Sequence, residues 1–116
     1  MLSFFKKIFG GDKKYITLES EEFEQQLRDT SRKKILLDVR SKHEFDELKI
    51  PNALNIDIMN PNFKNRLSKM DKQKPYFVYC QSGRRSAKAC KVLTELGYEQ
   101  VYNLKGGISG YDGRVV

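Results

Sequence analysis

From residue 15 onward the chain repeats one alternation: a short apolar run, a stretch with helical periodicity, then another apolar run. Parallel strands need crossover helices between them, and this rhythm is how such a sheet is written in sequence. Tyr15-Ile16-Thr17-Leu18, Ile35-Leu36-Leu37-Asp38-Val39, Ala53-Leu54-Asn55-Ile56, Tyr76-Phe77-Val78-Tyr79 and Gln100 to Leu104 are the predicted strands. The second is almost unbroken in its apolarity, as expected where both faces are covered. The expected fold is therefore α/β, a central, mostly parallel five-stranded sheet with helices on both faces.

Helix signals fall between these runs. Ser20 is expected to cap a helix whose first turn carries Glu21 and Glu22. Ser41-Lys42-His43-Glu44 has the spacing of a capping box. Asn60-Pro61 sets a cap residue before a helix-starting proline. Ala89, Val92, Leu93 and Leu96 recur on one helical face, which Gly97 ends.

Composition bounds the rest. A chain of 116 residues suffices for one core, and no apolar run approaches the ~20 residues of a membrane span. Two cysteines make no disulfide framework and suit a reducing compartment. The apolar N-terminal stretch is short and broken by lysines, unlike a secretory signal, so a cytoplasmic location is expected. Residues 1–14 are expected to be a basic amphipathic segment, with Leu2, Phe5 and Phe9 on one side, and residues 15–116 the folded domain. Peripheral contact with the inner membrane face through residues 1–10 is the functional reading of that segment. Packing of the same aromatics onto the domain is the plain one. The net charge of +7 gathers at the two ends of the chain, the second excess lying around one thiol. With no recognisable nucleic-acid motif, no nucleic-acid partner is expected.

That thiol is Cys80, in Cys80-Gln81-Ser82-Gly83-Arg84-Arg85-Ser86, between the fourth apolar run and the last helical pattern. A loop rich in Gly at a strand end directs amide N–H groups and a helix N-terminus toward one point, where negative charge is favoured. Arg84, Arg85 and Lys88 add to that field. All of this lowers a thiol pKa and favours the nucleophilic thiolate. A strand-end cysteine is often only a small buried hydrophobe; here strand, Cys, Gly, paired Arg, Ser and helix each serve thiolate chemistry. No general base for Cys80 is evident. One His and two distant Cys assemble no metal site, and no cofactor is called for.

Three segments in order resemble the rhodanese-like (thiosulfate sulfurtransferase) family in its single-domain form, over about residues 15–112. The first is Asp38-Val39-Arg40, then Glu44-Phe45, then Ile50-Pro51-Asn52-Ala53-Leu54-Asn55-Ile56; the second is Tyr79 through Ala87; the third is Asn103-Leu104-Lys105-Gly106-Gly107-Ile108. Leu48-Lys49 replaces the frequent Gly-His of the family, and Tyr111 stands near its usual Trp.

The resemblance implies a sulfurtransferase with Cys80 as the catalytic residue and Gln81, Ser82, Gly83, Arg84, Arg85 and Ser86 around the substrate. The sulfur donor would be a small anion such as thiosulfate, and the acceptor a thiol, cyanide or a partner protein. Arg85 is the expected holder of the anionic donor, because its fork suits a sulfonate oxygen pair. Ser86 is expected to cap the following helix, its hydroxyl within reach of the thiolate. Asp38 and Arg40 are read as scaffold near the site, Arg40 pairing with an acid. His43 is expected to be exposed, and Cys90 to be a buried thiol or, less simply, a resolving partner.

Three rivals stand beside this reading. A phosphatase or arsenate reductase would use Cys-x5-Arg, one residue longer than the spacing from Cys80 to Arg85. A non-catalytic binding module of the family would lack the cysteine. A persulfide carrier would keep the chemistry and serve a partner protein.

Overall fold

In a computed structural model that describes residues 14–30 and 33–116, the strands are β1 (Ile16–Leu18), β2 (Ile35–Asp38), β3 (Leu54–Asn55), β4 (Tyr76–Tyr79) and β5 (Val101–Leu104). The helices are α1 (Ser20–Asp29), α2 (Lys42–Glu47), α3 (Phe63–Ser68) and α4 (Arg84–Glu95), with a 3-10 turn at Ile108–Gly110. Residues 1–13, and so the amphipathic reading of residues 1–10, lie outside the described residues. No helix among the described residues is long and apolar enough to cross a membrane.

The strands form one sheet in the order β1-β5-β4-β2-β3, and every pairing is parallel. Side chains alternate across it. Tyr76, Val78 and Cys80 join the cluster built with Phe63 and Leu67 of α3 and Ala89, Cys90 and Leu93 of α4. Phe77 and Tyr79 join the opposite cluster, with Phe23 of α1, Leu36, Leu104 and Ile108. Period-2 alternation along β4 therefore aims Cys80 at the α4 side of the sheet.

Strand order also fixes where a ligand meets this fold. From β2 the chain moves outward to β3; from β4 it moves the other way, to β5. The crevice beyond the carboxyl ends of β2 and β4 is thus a topological switch point, the place where open α/β sheets bind ligands. Asp38-Val39-Arg40 leaves one side of it, and Cys80 leaves the other.

Several boundaries differ from expectation for local reasons. Ser20 is the first residue of α1 and not its cap; its hydroxyl instead accepts a hydrogen bond from the Asp112 amide at 2.8 Å, tying down the C-terminal segment. α3 begins at Phe63 and not after Asn60-Pro61, because the Asn60 side chain accepts from the Asn62 amide at 2.8 Å and holds a turn there. α4 starts straight after Gly83, so that Arg84, Arg85 and Ser86, read from sequence as part of the Cys80 loop, are its first residues. The Ser41–Glu44 capping box is present in full, and Gly97 follows α4 at φ 99°.

Candidate active site

The loop that follows β4 wraps around one atom. Cys80 Sγ accepts a hydrogen bond from the Gly83 amide at 3.0 Å and lies 3.3 Å from the Ser86 hydroxyl oxygen. Gly83 turns the chain at φ 102°, a conformation that side chains disfavour, and so sends its N–H back to the sulfur. Burial of Cys80 opposes its ionisation. The Ser86 hydroxyl and the amides of Ser86, Gly83 and Ser82 outweigh that opposition, and the thiol pKa falls below the usual cysteine value. Ser86, expected from sequence to cap α4, does not do so, because Gly83 already occupies the start of the helix; the hydroxyl faces the sulfur.

A second turn braces the first. The carbonyl oxygens of Cys80 and Gln81 accept hydrogen bonds from the amides of Ile108 and Ser109, at 2.9 and 3.2 Å. Gly107 sits at φ 64°, and a Cβ there would lie 2.6 Å from the Cys80 carbonyl oxygen and closer still to that of Gln81. The Gly106-Gly107 pair, met in the sequence only as part of the third resembling segment, is the surface against which the Cys80 loop is shaped.

Arg40 supports the same loop from the β2 side. Its guanidinium is 2% exposed and hydrogen-bonds both oxygens of Asp38, which is fully buried. One nitrogen reaches the Leu48 carbonyl at 2.6 Å, and another reaches the Gln81 side-chain oxygen at 3.2 Å. Asn55 from β3 closes this arrangement with bonds to the Asp38 and Arg40 carbonyls. Asp38 and Arg40 are thus a buried pair that fixes Gln81.

Arg85 closes its fork on Glu44, with contacts of 2.8 and 2.9 Å from its two terminal nitrogens. The Arg85 guanidinium holds the Glu44 carboxyl well below the usual carboxylate range, at about 2. The sign follows: a lowered carboxylate stabilises the fold above its ordinary pKa and loses that contribution only as pH drops toward about 2. Through any range in which a thiolate reacts, Arg85 therefore stays clamped to α2. Arg84, the neighbouring cation, is exposed. Glu44 had been legible only as a capping residue, and nothing in the sequence signals its second partner 41 positions away.

The remaining candidates fall outside the loop. His43 is exposed, 3.6 Å from Glu47 on the same helix. Cys90 is fully enclosed in the core, and burial pushes its thiol well up; such a thiol is inert to exchange. A cavity of about 260 Å³ bordered by Leu27, Lys34, Leu36, Pro51 and Asn52 involves the opposite cluster of the sheet and none of the loop residues.

A thiol whose pKa is lowered by loop donors thus sits at the switch point of a parallel sheet. The chain belongs to the rhodanese-like domain family, whose pattern matches residues 19–114. It is 37% identical over 91 residues to a protein of Allochromatium vinosum named sulfurtransferase, covering 78% of this chain and 82% of that one. It is 39% identical over 80 residues to a tRNA uridine(34) hydroxylase of Cytophaga hutchinsonii, but spans only 26% of that protein. A rhodanese-like domain protein of Staphylococcus aureus superposes with a TM-score of 0.71 at 26% identity, over 84% of this chain and 92% of that structure. The family is one of sulfur transfer.

A pH profile checks the loop directly. The fraction of Cys80 in the reactive thiolate form rises with pH and is lost as pH falls through its pKa. Alkylation of Cys80 is expected to reach half its maximal rate at a lower pH than free cysteine does. Ser86→Ala is expected to move that midpoint up, because the hydroxyl is the largest of the contributions favouring the anion. An unshifted midpoint in Ser86→Ala would remove the hydroxyl from the activating set.

Proposed function

We propose that the protein is a sulfurtransferase that moves a sulfane sulfur from thiosulfate or a persulfide donor to a thiophilic acceptor through a persulfide on Cys80. The carrying observation is the cup itself, a sulfur that receives the Gly83 N–H at 3.0 Å and faces the Ser86 hydroxyl at 3.3 Å. In the first step the Cys80 thiolate attacks the outer sulfur of thiosulfate. An S–S bond forms to Cys80, the bond to the sulfonate sulfur breaks, and sulfite leaves with the electron pair. The new terminal sulfur is anionic, and the same donors that hold the thiolate stabilise it. In the second step an acceptor thiolate or cyanide attacks that terminal sulfur, and Cys80 departs as thiolate. No proton is exchanged in either step, which agrees with a loop that offers hydrogen bonds and no base.

Arg84, beside the loop and exposed, meets the donor's sulfonate in this reading, since the Arg85 fork is held by Glu44. That clamp also weighs against a phosphatase, which needs its loop arginine free to bind phosphate oxygens.

The test is covalent. After thiosulfate treatment, mass spectrometry of the wild-type protein is expected to find one added sulfur on the peptide containing Cys80. Cyanide is then expected to remove it, with an equal amount of thiocyanate formed. Unchanged mass, or sulfur found on Cys90 instead, would end this reading.

A further inference from the structure

We propose that Glu44 selects the sulfur donor: by closing on Arg85 it turns the site away from dianionic sulfonates such as thiosulfate and toward the persulfide of an organic thiol, reacting in its uncharged form. This rests on the sulfur-transfer reading above and names the donor class of the same site. Both terminal nitrogens of Arg85 are taken, one by each Glu44 oxygen, at 2.8 and 2.9 Å. Glu44 is in turn held at the start of α2, where the Ser41 amide and hydroxyl each reach its Oε1 at 3.1 Å. A sulfonate seeking the Arg85 fork would have to displace a carboxylate built into the chain and fixed from both sides. The effective concentration of such a carboxylate exceeds that of a dissolved donor.

The fork is also a cation whose charge bears on the reacting sulfur. The Arg85 guanidinium is held charged first by its bonds to Glu44, then by the charges of Glu44, Cys80 and Asp57. Asp57 is fixed in its turn by the Met59 amide at 2.8 Å. One guanidinium thus faces two carboxylates, and the three groups together leave one negative charge before the Cys80 thiolate is counted. A dianion entering here is repelled where a neutral molecule is not. Arg84 remains for a sulfonate, but it is exposed and water screens it. The leaving group feels the same field, since sulfite departs with two negative charges and an organic thiolate with one. With a persulfide RSSH, the Cys80 thiolate attacks the terminal sulfur, the donor S–S bond breaks, and RS⁻ leaves with the electron pair. The proton on the transferred sulfur passes through water to the departing thiolate, the stronger base, and Cys80 is left with an anionic persulfide.

The test compares thiosulfate with mercaptoethanol persulfide as donors to the full chain. Mass spectrometry follows sulfur loading on Cys80, each rate being scaled to the donor's uncatalysed reaction with a free thiol. The wild-type protein is expected to accelerate the persulfide reaction at least about tenfold more than the thiosulfate reaction. Glu44→Gln removes the charge and keeps the capping box, in which Gln serves as Glu does. It is expected to raise the thiosulfate-to-persulfide ratio of loading rate constants about tenfold, mainly through a lower half-saturating concentration of thiosulfate. Taking the ratio cancels any change in the thiolate itself, which acts on both donors alike. Glu44→Gln/Arg85→Gln is expected to bring the ratio back to within about twofold of wild type, because the freed fork is what thiosulfate gains. An unmoved ratio in folded Glu44→Gln, or one that stays raised in the double variant, would overturn the proposal. The wild-type comparison needs no variant: equal or greater acceleration with thiosulfate would overturn it alone. Failure of both donors to add sulfur to Cys80 would instead overturn the sulfur-transfer reading, and the donor assignment with it.

Discussion

Cys80→Ser is expected to stop sulfur transfer, by at least about 10⁴-fold in kcat/KM, while leaving a folded protein. The two halves of that expectation have separate causes. A serine hydroxyl fits the same cup, where the Gly83 amide can donate to it and the Ser86 hydroxyl can pair with it, so the buried polar atom stays satisfied. The thermal midpoint should therefore move little. Chemistry fails because the four loop donors that lower a thiol pKa leave an alcohol, whose own pKa is far higher, un-ionised. An oxygen nucleophile also makes no persulfide. Stopped-flow detection of sulfite release, together with circular dichroism, reads the two halves independently. Sulfite release at the wild-type rate by a folded Cys80→Ser protein would show that another residue carries the sulfur.

How much of this was legible in the sequence follows the range of each interaction. The strands, their order of appearance and the Cys80 loop are local signals, because apolar runs and a Gly-Arg loop declare themselves within a few residues. The parallel sheet followed from the helical crossovers. Ser86 shows where local reading goes astray: a serine near a helix start reads as a cap, but the turn at Gly83 had already begun the helix and released the hydroxyl toward sulfur. Glu44 was hidden for a related reason. Its capping role was complete in itself, so its grip on Arg85, 41 residues away, left no trace. Gly107 likewise signals a turn, while the approach of the Cys80 and Gln81 carbonyls that demands glycine exists only once β4 and β5 lie side by side. Local chemistry was readable, and the contacts that brace the loop were set by strand order.

The pair behind the loop should dominate stability. Arg40→Ala is expected to cost about 3–5 kcal/mol in urea unfolding, because it strands the Asp38 carboxylate in a site with no solvent exposure. Replacing both members with apolar residues of similar size, as in Asp38→Leu/Arg40→Met, removes the stranded charge and is expected to recover much of the loss. Activity should not return with it. Arg40 hydrogen-bonds the Gln81 side chain at 3.2 Å and the Leu48 carbonyl at 2.6 Å, and methionine replaces neither bond. The double variant is thus expected to fold well and transfer sulfur poorly, whereas a residue that served stability alone would show both recovering together. Such joint recovery, or a loss below about 1 kcal/mol in Arg40→Ala, would mean that the Cys80 loop holds its shape without support from β2.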